Sequence, residues 1–379
     1  MTVGNLPDPV LITRLGGLKQ LAETLSRESI IAVDTESNSL YAYREQVCLI
    51  QFSTSRTDYL VDPLAIKDLS ALAPLFRSPK IEKVFHAAEY DLICLKRDFG
   101  FEFANLFDTM VAARVLGREA IGLGSILEVE FGVHLDKRFQ RANWGQRPLP
   151  YQLLAYARLD THYLIPLRNR LKQELQEANL WPLAREDFER MNHVNGIERT
   201  SEDRSGECWR IGGAYDLSPQ QAAVLMELCR YRDRTARRLN RPLFKVLNDR
   251  TLMAIAAEMP RNLKDLSRLP GMTRGQMERH GTALLEAVQS GMAAEPAYPP
   301  RAPRPNEEFL DRVEALRRWR KVTAEEMGVK SDIILPRDLL FSLAEQNPRQ
   351  PEDLADVMSD VPWRLERFGE RILEVLGGE

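Results

Sequence analysis

The sequence is poor in cysteine, has no long apolar run and carries little net charge. Its four cysteines, Cys48, Cys94, Cys208 and Cys229, lie far apart and include no C-x-x-C pair. That spacing argues against a zinc site or a disulfide framework and suits a reducing cytosol. No apolar stretch approaches the ~18 residues of a membrane-spanning helix, and the first residues lack a basic-then-apolar leader pattern. The expectation is a soluble cytoplasmic protein without a membrane partner. A net charge of −3 says little by itself, because local clusters decide nucleic-acid binding.

The rest of the composition is that of a globular chain, 44% hydrophobic and 28% charged, and 379 residues predict two or three domains. Up to residue 193 the sequence alternates between strand-like and helix-like stretches. "SIIAVDTES", "QVCLIQFST", "DYLVDP" and "KVFHAA" are short and rich in Val, Ile and aromatics. The first three follow one another closely, which predicts an antiparallel meander opening a mixed sheet. One long helical stretch is expected from Tyr151 to about Ala178. Residues 194–213 are polar and Gly-rich and read as a linker, with Trp209 and Ile211 docking on a core. The proline-dense stretch from 295 reads as a second, extended linker up to 304.

The two segments after the first linker are related. "CRYRDRTA" (229–236) falls on "RRWRKVTA" (317–324), an offset of 88. "AAEMPRNLKDL" falls on "AEQNPRQPEDL", and "RHGTALLEAV" on "RFGERILEVL", at the same offset. The tail is therefore read as a tandem duplication of a small helical domain, 214–294 and 305–379, with four or five helices in each copy.

The chemistry-bearing residues are acids. Asp34 and Glu36 stand at i and i+2 on an apolar strand, so both point to one face with Cα atoms roughly 6–7 Å apart. At an effective dielectric of about 20, their charges repel by roughly 2–3 kcal/mol. Asp91 follows a strand-like run in the first turns of a helix. Tyr156 and Asp160 lie at i and i+4 on one helical face among apolar neighbours. Four carboxylates meeting at one point need divalent cations between them, and hard oxygen ligands suit Mg²⁺ or Mn²⁺. Two such ions can activate a water and stabilise the leaving oxygen of an in-line phosphodiester cleavage.

Asp-x-Glu, then Asp, then Tyr-x-x-x-Asp resembles the DEDD family of 3′–5′ exonucleases. "VDTES", "HAAEYD" and "YARLD" look like its three motifs, and Tyr156 four residues before Asp160 places the resemblance in the tyrosine branch. "FDT" (107–109), "GVHLDK" (132–137), "QRANWGQRPL" (140–149) and "YLIPL" (163–167) are similar to the ribonuclease D family, and the helical repeats resemble HRDC domains. The resemblance implies a ribonuclease H-like α/β exonuclease domain over 1–193, with a mixed sheet flanked by helices, followed by two all-α HRDC-like domains. It implies that Asp34, Glu36, Asp91 and Asp160 hold two divalent ions while Tyr156 orients the attacking water. A tyrosine of pKa near 10 is a poor base at neutral pH, so orientation is the favoured role.

His86, Lys137, Arg141, Trp144 and Arg147 are candidate substrate contacts, since charge beside an aromatic suits a single-stranded 3′ end. For His86 a packing or hydrogen-bonding role competes. Residues 230–242 hold six arginines and one aspartate. Arg230, Arg234, Arg237 and Arg238 would form a basic face for phosphates. The second copy has lost several arginines and gained Glu325 and Glu326, so it is expected to pack or orient rather than grip. The expected activity is release of nucleoside 5′-monophosphates from the 3′ end of RNA, with tRNA precursors as partners and a monomeric enzyme. A DNA exonuclease, or a catalytically inactive nucleic-acid scaffold, is the alternative.

Overall fold

The computed structural model describes residues 6–193, 206–300 and 305–377; most of the 194–213 linker and residues 301–304 of the second linker lie outside them. The described chain divides into two compact units. One combines residues 1–37, 47–196 and 304–379, and the other combines 38–46 with 197–303.

The first unit is built on six strands: β1 (Val10–Ile12), β2 (Ile30–Ser37), β3 (Val47–Ser53), β4 (Asp58–Val61), β5 (Glu82–Phe85) and β6 (Leu106–Asp108). Their order is β1-β4-β3-β2-β5-β6. β2, β3 and β4 form the expected antiparallel meander, while β5 runs parallel to β2 and β6 parallel to β5. The three-residue strand β1 pairs parallel with β4 at one edge.

Among the described residues up to 193, eight α-helices alternate with the strands and then succeed them: α1 (Leu15–Leu25), α2 (Ala73–Arg77), α3 (Glu89–Phe99), α4 (Thr109–Val115), α5 (Leu123–Phe131), α6 (Tyr151–His162), α7 (Leu164–Glu177) and α8 (Trp181–Met191). Alternation along β2 divides them between two layers. Ile31 and Val33 pack with Leu18, Leu25, Leu72, Leu92 and Leu95 of the α1–α3 side. Ala32 packs with Ala112, Leu167, Leu171 and Phe188 of the α4, α7 and α8 side. The single helix expected over 151–178 is broken at Tyr163. Pro166 explains the break, because it has no N–H to offer the carbonyl of His162.

The helical repeats are α9 (Pro219–Leu239), α10 (Leu243–Val246), α11 (Asp249–Glu258), α12 (Leu263–Leu266) and α13 (Arg274–Ala293), then α14 (Glu307–Met327), α15 (Ser331–Ile334), α16 (Arg337–Gln346), α17 (Pro351–Val357) and α18 (Pro362–Gly377). Every helix of the second copy starts 88 residues after its counterpart, as 219 and 307 or 274 and 362 show. The left-handed caps keep the same offset: Asn240 matches Gly328, and Met259 matches Asn347. Trp209 and Ile211 pack into the core of the first repeat.

The second repeat belongs to the same unit as the sheet domain, and buried charge joins them. The Arg364 side chain is fully buried, with its guanidinium 2.9 Å from Glu186 Oε2 and 2.8 Å from Asp187 Oδ1. It also donates to the carbonyls of Ile333 and Ile334. Glu186 Oε1 accepts from the backbone amides of Trp363 and Arg364, satisfying the open N-terminus of α18.

One expectation from composition is overturned. Cys208 and Cys229 are joined as a disulfide with Cα atoms 6.3 Å apart, while Cys48 and Cys94 are buried free thiols. Their separation of 21 residues hid a pairing that arises because the segment before α9 folds back onto that helix. Among the described residues no helix is long and apolar enough to cross a membrane.

Candidate active site

β2 supplies the first two acids. Its buried run Ile31-Ala32-Val33 ends in half-buried Asp34, Thr35 and Glu36, with Asp34 opposite Gln51 and Glu36 opposite Leu49 on β3. A register shift between Glu36 and Ser37 ends regular pairing directly after the second acid. By alternation Asp34 and Glu36 share the Ala32 face, whereas Thr35 shares the Val33 face, against which α3 packs. Thr35 Oγ1 accordingly donates a short hydrogen bond to Asp91 Oδ1 in the first turn of α3.

The aim of α3 is set by the aspartate of the Phe-Asp-Thr stretch at 107–109. Asp108, 1% exposed at the end of β6, accepts from four backbone amides. They belong to Ala87 (3.2 Å), Ala88 (2.7 Å), Met110 (2.7 Å) and Val111 (3.0 Å). One carboxylate thus caps α4 and holds the β5–α3 turn, in which Ala87 takes the left-handed φ of 60°. That turn delivers Asp91.

α6 supplies the other two groups. Tyr156 and Asp160 are 6% and 7% exposed. Tyr156 packs with Cys48, Leu49, Leu60, Trp144 and Leu153, and its ring lies 5.6 Å from Phe139 and 6.3 Å from Trp144. A buried polar chain fixes the end of this helix. Ser53 Oγ contacts Thr161 Oγ1 at 2.7 Å and donates to Asp58 Oδ1 at 2.6 Å, and Asp58 Oδ2 lies 2.9 Å from His162 Nδ1.

Asp34, Thr35, Glu36, His86, Gln140, Tyr156 and Asp160, with residues 122–125 at the start of α5, line one cleft of about 530 Å³. Asp91 is not part of that lining, but its charge acts on the three acids that are. Burial is the largest cause of the raised pKa at each acid. Asp34 is pushed well up by burial, then by Asp91, Asp160 and Glu36. Glu36 is pushed well up by burial, Asp160 and Asp91. Asp160 rises to about 8 through burial and Asp91. Asp91 rises to about 7 through burial, against the bond from Thr35. Burial and the charges of Asp160, Glu36 and Asp34 also raise Tyr156, so its hydroxyl stays protonated, and Gln140 hydrogen-bonds to it.

No lysine or arginine is among the described residues lining the cleft. Buried carboxylates that repel one another, and whose donor atoms are all oxygen, fit a hard divalent cation. Among the described residues no three such side chains already form a ligand cluster. Asp91 is tied to Thr35 instead.

The other sequence candidates separate into two sets. His86 borders the cleft. Arg141 is exposed, and the Lys137 side chain lies outside the described residues. Trp144 and Arg147 correct the expectation of substrate contact. Trp144 is 1% exposed in the core behind Tyr156. Arg147 spends its guanidinium on Asp62 (2.6 and 2.7 Å) and on the carbonyls of Cys48, Trp144 and Gln146. An aromatic and a cation in a polar stretch looked like a binding loop, but here they pin that stretch to β3 and β4.

In the other unit, Arg230, Arg234, Arg237 and Arg238 are exposed on α9. Arg230 pairs with Glu227, and Arg237 sits 5.7 Å over the Tyr43 ring and 3.5 Å from Asp233. Arg232 is buried on Asp249 and serves the fold.

A mixed sheet that presents two acids on its central strand, with a third on a neighbouring helix and a Tyr–Asp pair on another, defines a 3′–5′ exonuclease. Residues 9–176 match the family model described as 3'-5' exonuclease, and residues 221–288 and 309–376 each match the HRDC domain model. Ribonuclease D of Pseudomonas paraeruginosa is 31% identical, with 95% of each chain covered. Protein RRP6-like 1 of Arabidopsis thaliana is 34% identical over 76% of this chain, which spans only 47% of that longer relative. The crystal structure of Escherichia coli RNase D, described as an exoribonuclease involved in structured RNA processing, superposes with a TM-score of 0.69. It is 27% identical, and the match covers 98% of this chain and 99% of that one. The chain belongs to the ribonuclease D family of 3′–5′ exoribonucleases.

Proposed function

We propose that the protein removes nucleotides from the 3′ end of RNA as nucleoside 5′-monophosphates, with Asp34, Glu36, Asp91 and Asp160 as the ligands of two divalent ions. The observation that carries this is the cleft shared by Asp34, Glu36, Tyr156 and Asp160, on which the charge of Asp91 also acts. When bound, Mg²⁺ or Mn²⁺ lowers the pKa of a water and offsets charge on the leaving oxygen.

The chain's own residues do the rest. The four carboxylates would hold the ions in their ionised form. Tyr156 keeps its proton and offers a hydroxyl, steadied by Gln140, that orients the attacking water. The chain Ser53–Asp58–His162, with Thr161, keeps α6 and hence Tyr156 and Asp160 in place. Arg141 and Lys137 are proposed to meet the RNA strand. On the first repeat Arg230, Arg234, Arg237 and Arg238 are proposed to hold RNA phosphates. The substrates proposed are tRNA precursors with 3′ extensions, acted on by a monomer in the cytoplasm. The Cys208–Cys229 bridge means that the cysteines no longer argue for that compartment.

The test is incubation of the protein with 3′-tailed RNA and the matching DNA in Mg²⁺, Mn²⁺ or EDTA. RNA shortening from the 3′ end that stops in EDTA is the expected result. Activity that persists in EDTA contradicts metal dependence, and equal rates on DNA remove the assignment to RNA.

A further inference from the structure

His86 has a hydrogen-bonding role that its neighbours determine. Its Nδ1 lies 2.9 Å from Thr109 Oγ1. The same hydroxyl donates to the carbonyl of Phe85 at 3.0 Å. A threonine hydroxyl has one proton, and a carbonyl can only accept, so the proton belongs to Phe85. Both contacts are satisfied only if His86 Nδ1 carries a hydrogen and donates it to Thr109. The ring is held neutral, because burial lowers its pKa against the opposing charge of Asp108. A neutral imidazole protonated at Nδ1 has a bare Nε2, which accepts and cannot donate. Among the described residues no side chain or backbone group is hydrogen-bonded to Nε2, and the ring borders the cleft that holds the acids.

The nature of the donor follows from the chemistry of a nucleotide. A phosphodiester has no proton to give, so Nε2 does not grip phosphate. Amino and imino groups on the bases differ among the four nucleotides, and an enzyme that removes residues one after another must accept them all. The hydroxyls of the terminal ribose are the donors common to every RNA 3′ end. Resting on the nuclease reading of the cleft, the geometry points to His86 as a specificity-determining residue that accepts a hydrogen bond from a hydroxyl of the terminal ribose.

Two measurements test this. The first compares kcat/KM on one RNA ending in a ribo-, a 2′-deoxy- or a 3′-deoxynucleotide, for the wild type, His86→Phe and His86→Gln. The wild type should penalise one of the deoxy ends about 10- to 100-fold, the effect of leaving one acceptor without its donor. His86→Phe should lose that penalty, and His86→Gln, with an acceptor oxygen of similar reach, should retain part of it. A penalty unchanged in His86→Phe, or none in the wild type, overturns the inference. An Nε2 serving the attacking water would give that outcome. The second needs neither turnover nor a variant. ¹⁵N spectra of the wild-type imidazole should show a protonated Nδ1 and a bare Nε2 at neutral pH. The Nε2 signal should shift on adding adenosine 5′-monophosphate but not its 2′,3′-dideoxy analogue. The opposite tautomer, or equal shifts with both nucleotides, contradicts the proposal even if RNA is hydrolysed. Failure of all RNA hydrolysis instead removes the nuclease reading and leaves the spectra to judge His86.

Discussion

Loading the cleft with a divalent ion should release protons, and the number can be worked out. In the metal-free chain burial pushes Asp91 up to about 7, and burial with the charge of Asp91 pushes Asp160 up to about 8. At pH 7 the pair therefore still holds more than one proton, and both acids must ionise to become ligands. Binding should thus expel roughly one to two protons from these two, and more from Asp34 and Glu36, which are raised in the same direction. Apparent Mn²⁺ affinity should then rise more than tenfold from pH 6 to pH 7 and go on rising through pH 8, where Asp160 is still only half ionised. Isothermal titration in buffers of different ionisation enthalpy measures the release directly, and Asp160→Asn should reduce it by close to one proton. The sign extends to stability. These carboxylates ionise more readily in the unfolded chain, so metal-free protein should lose stability as pH rises from 5 to 8 and recover it on adding Mn²⁺. Zero proton release at pH 7, or affinity that improves on acidification, refutes the picture of four mutually repelling ligands.

Three further outcomes are expected, one in the same cleft and two in the body of the fold. Tyr156→Phe removes only the orienting hydroxyl, so kcat should fall about 100-fold while the unfolding midpoint hardly moves; an unchanged kcat would exclude the role. Arg364→Met leaves buried Glu186 and half-buried Asp187 without this partner and should cost about 3–5 kcal/mol in denaturant titrations, with the second repeat loosening first in hydrogen exchange. Lys83 is fully buried, donates to the carbonyls of Ser78 and Ile81, and is lowered by burial to about 8. The unfolded chain binds the proton more tightly, so wild-type stability should climb between pH 8 and pH 10, and Lys83→Met should lack that slope.

Much of this architecture can be read from residues alone, and the exceptions share a cause. Apolar residues running into Asp34 and Glu36 mark a strand whose end is exposed to a cleft, because burial and alternation are local properties. The 88-residue offset is equally visible, since each helix and cap is specified within its own copy. What the linear order hides is side-chain direction in irregular segments. Trp144 and Arg147 have the composition of a binding loop, yet the ring fills the space behind Tyr156 and the guanidinium clamps Asp62. Asp108 looks like an ordinary helix cap, and its hold on the Ala87 turn depends on β5 and β6 being neighbours. Cys208 and Cys229 meet only after the segment before α9 folds back. Pro166 did carry a readable signal, a missing N–H at the position where the expected helix breaks.

The central claim is that four acids and Tyr156 cut RNA from its 3′ end with the help of divalent ions. It is tested most directly by following a 5′-labelled, 3′-tailed RNA in Mn²⁺ with the wild type and Asp160→Asn while identifying the released nucleotides. The account predicts stepwise shortening with nucleoside 5′-monophosphate as product, abolished in a variant that still folds. Undiminished shortening by Asp160→Asn, or release of 3′-monophosphates, would contradict it.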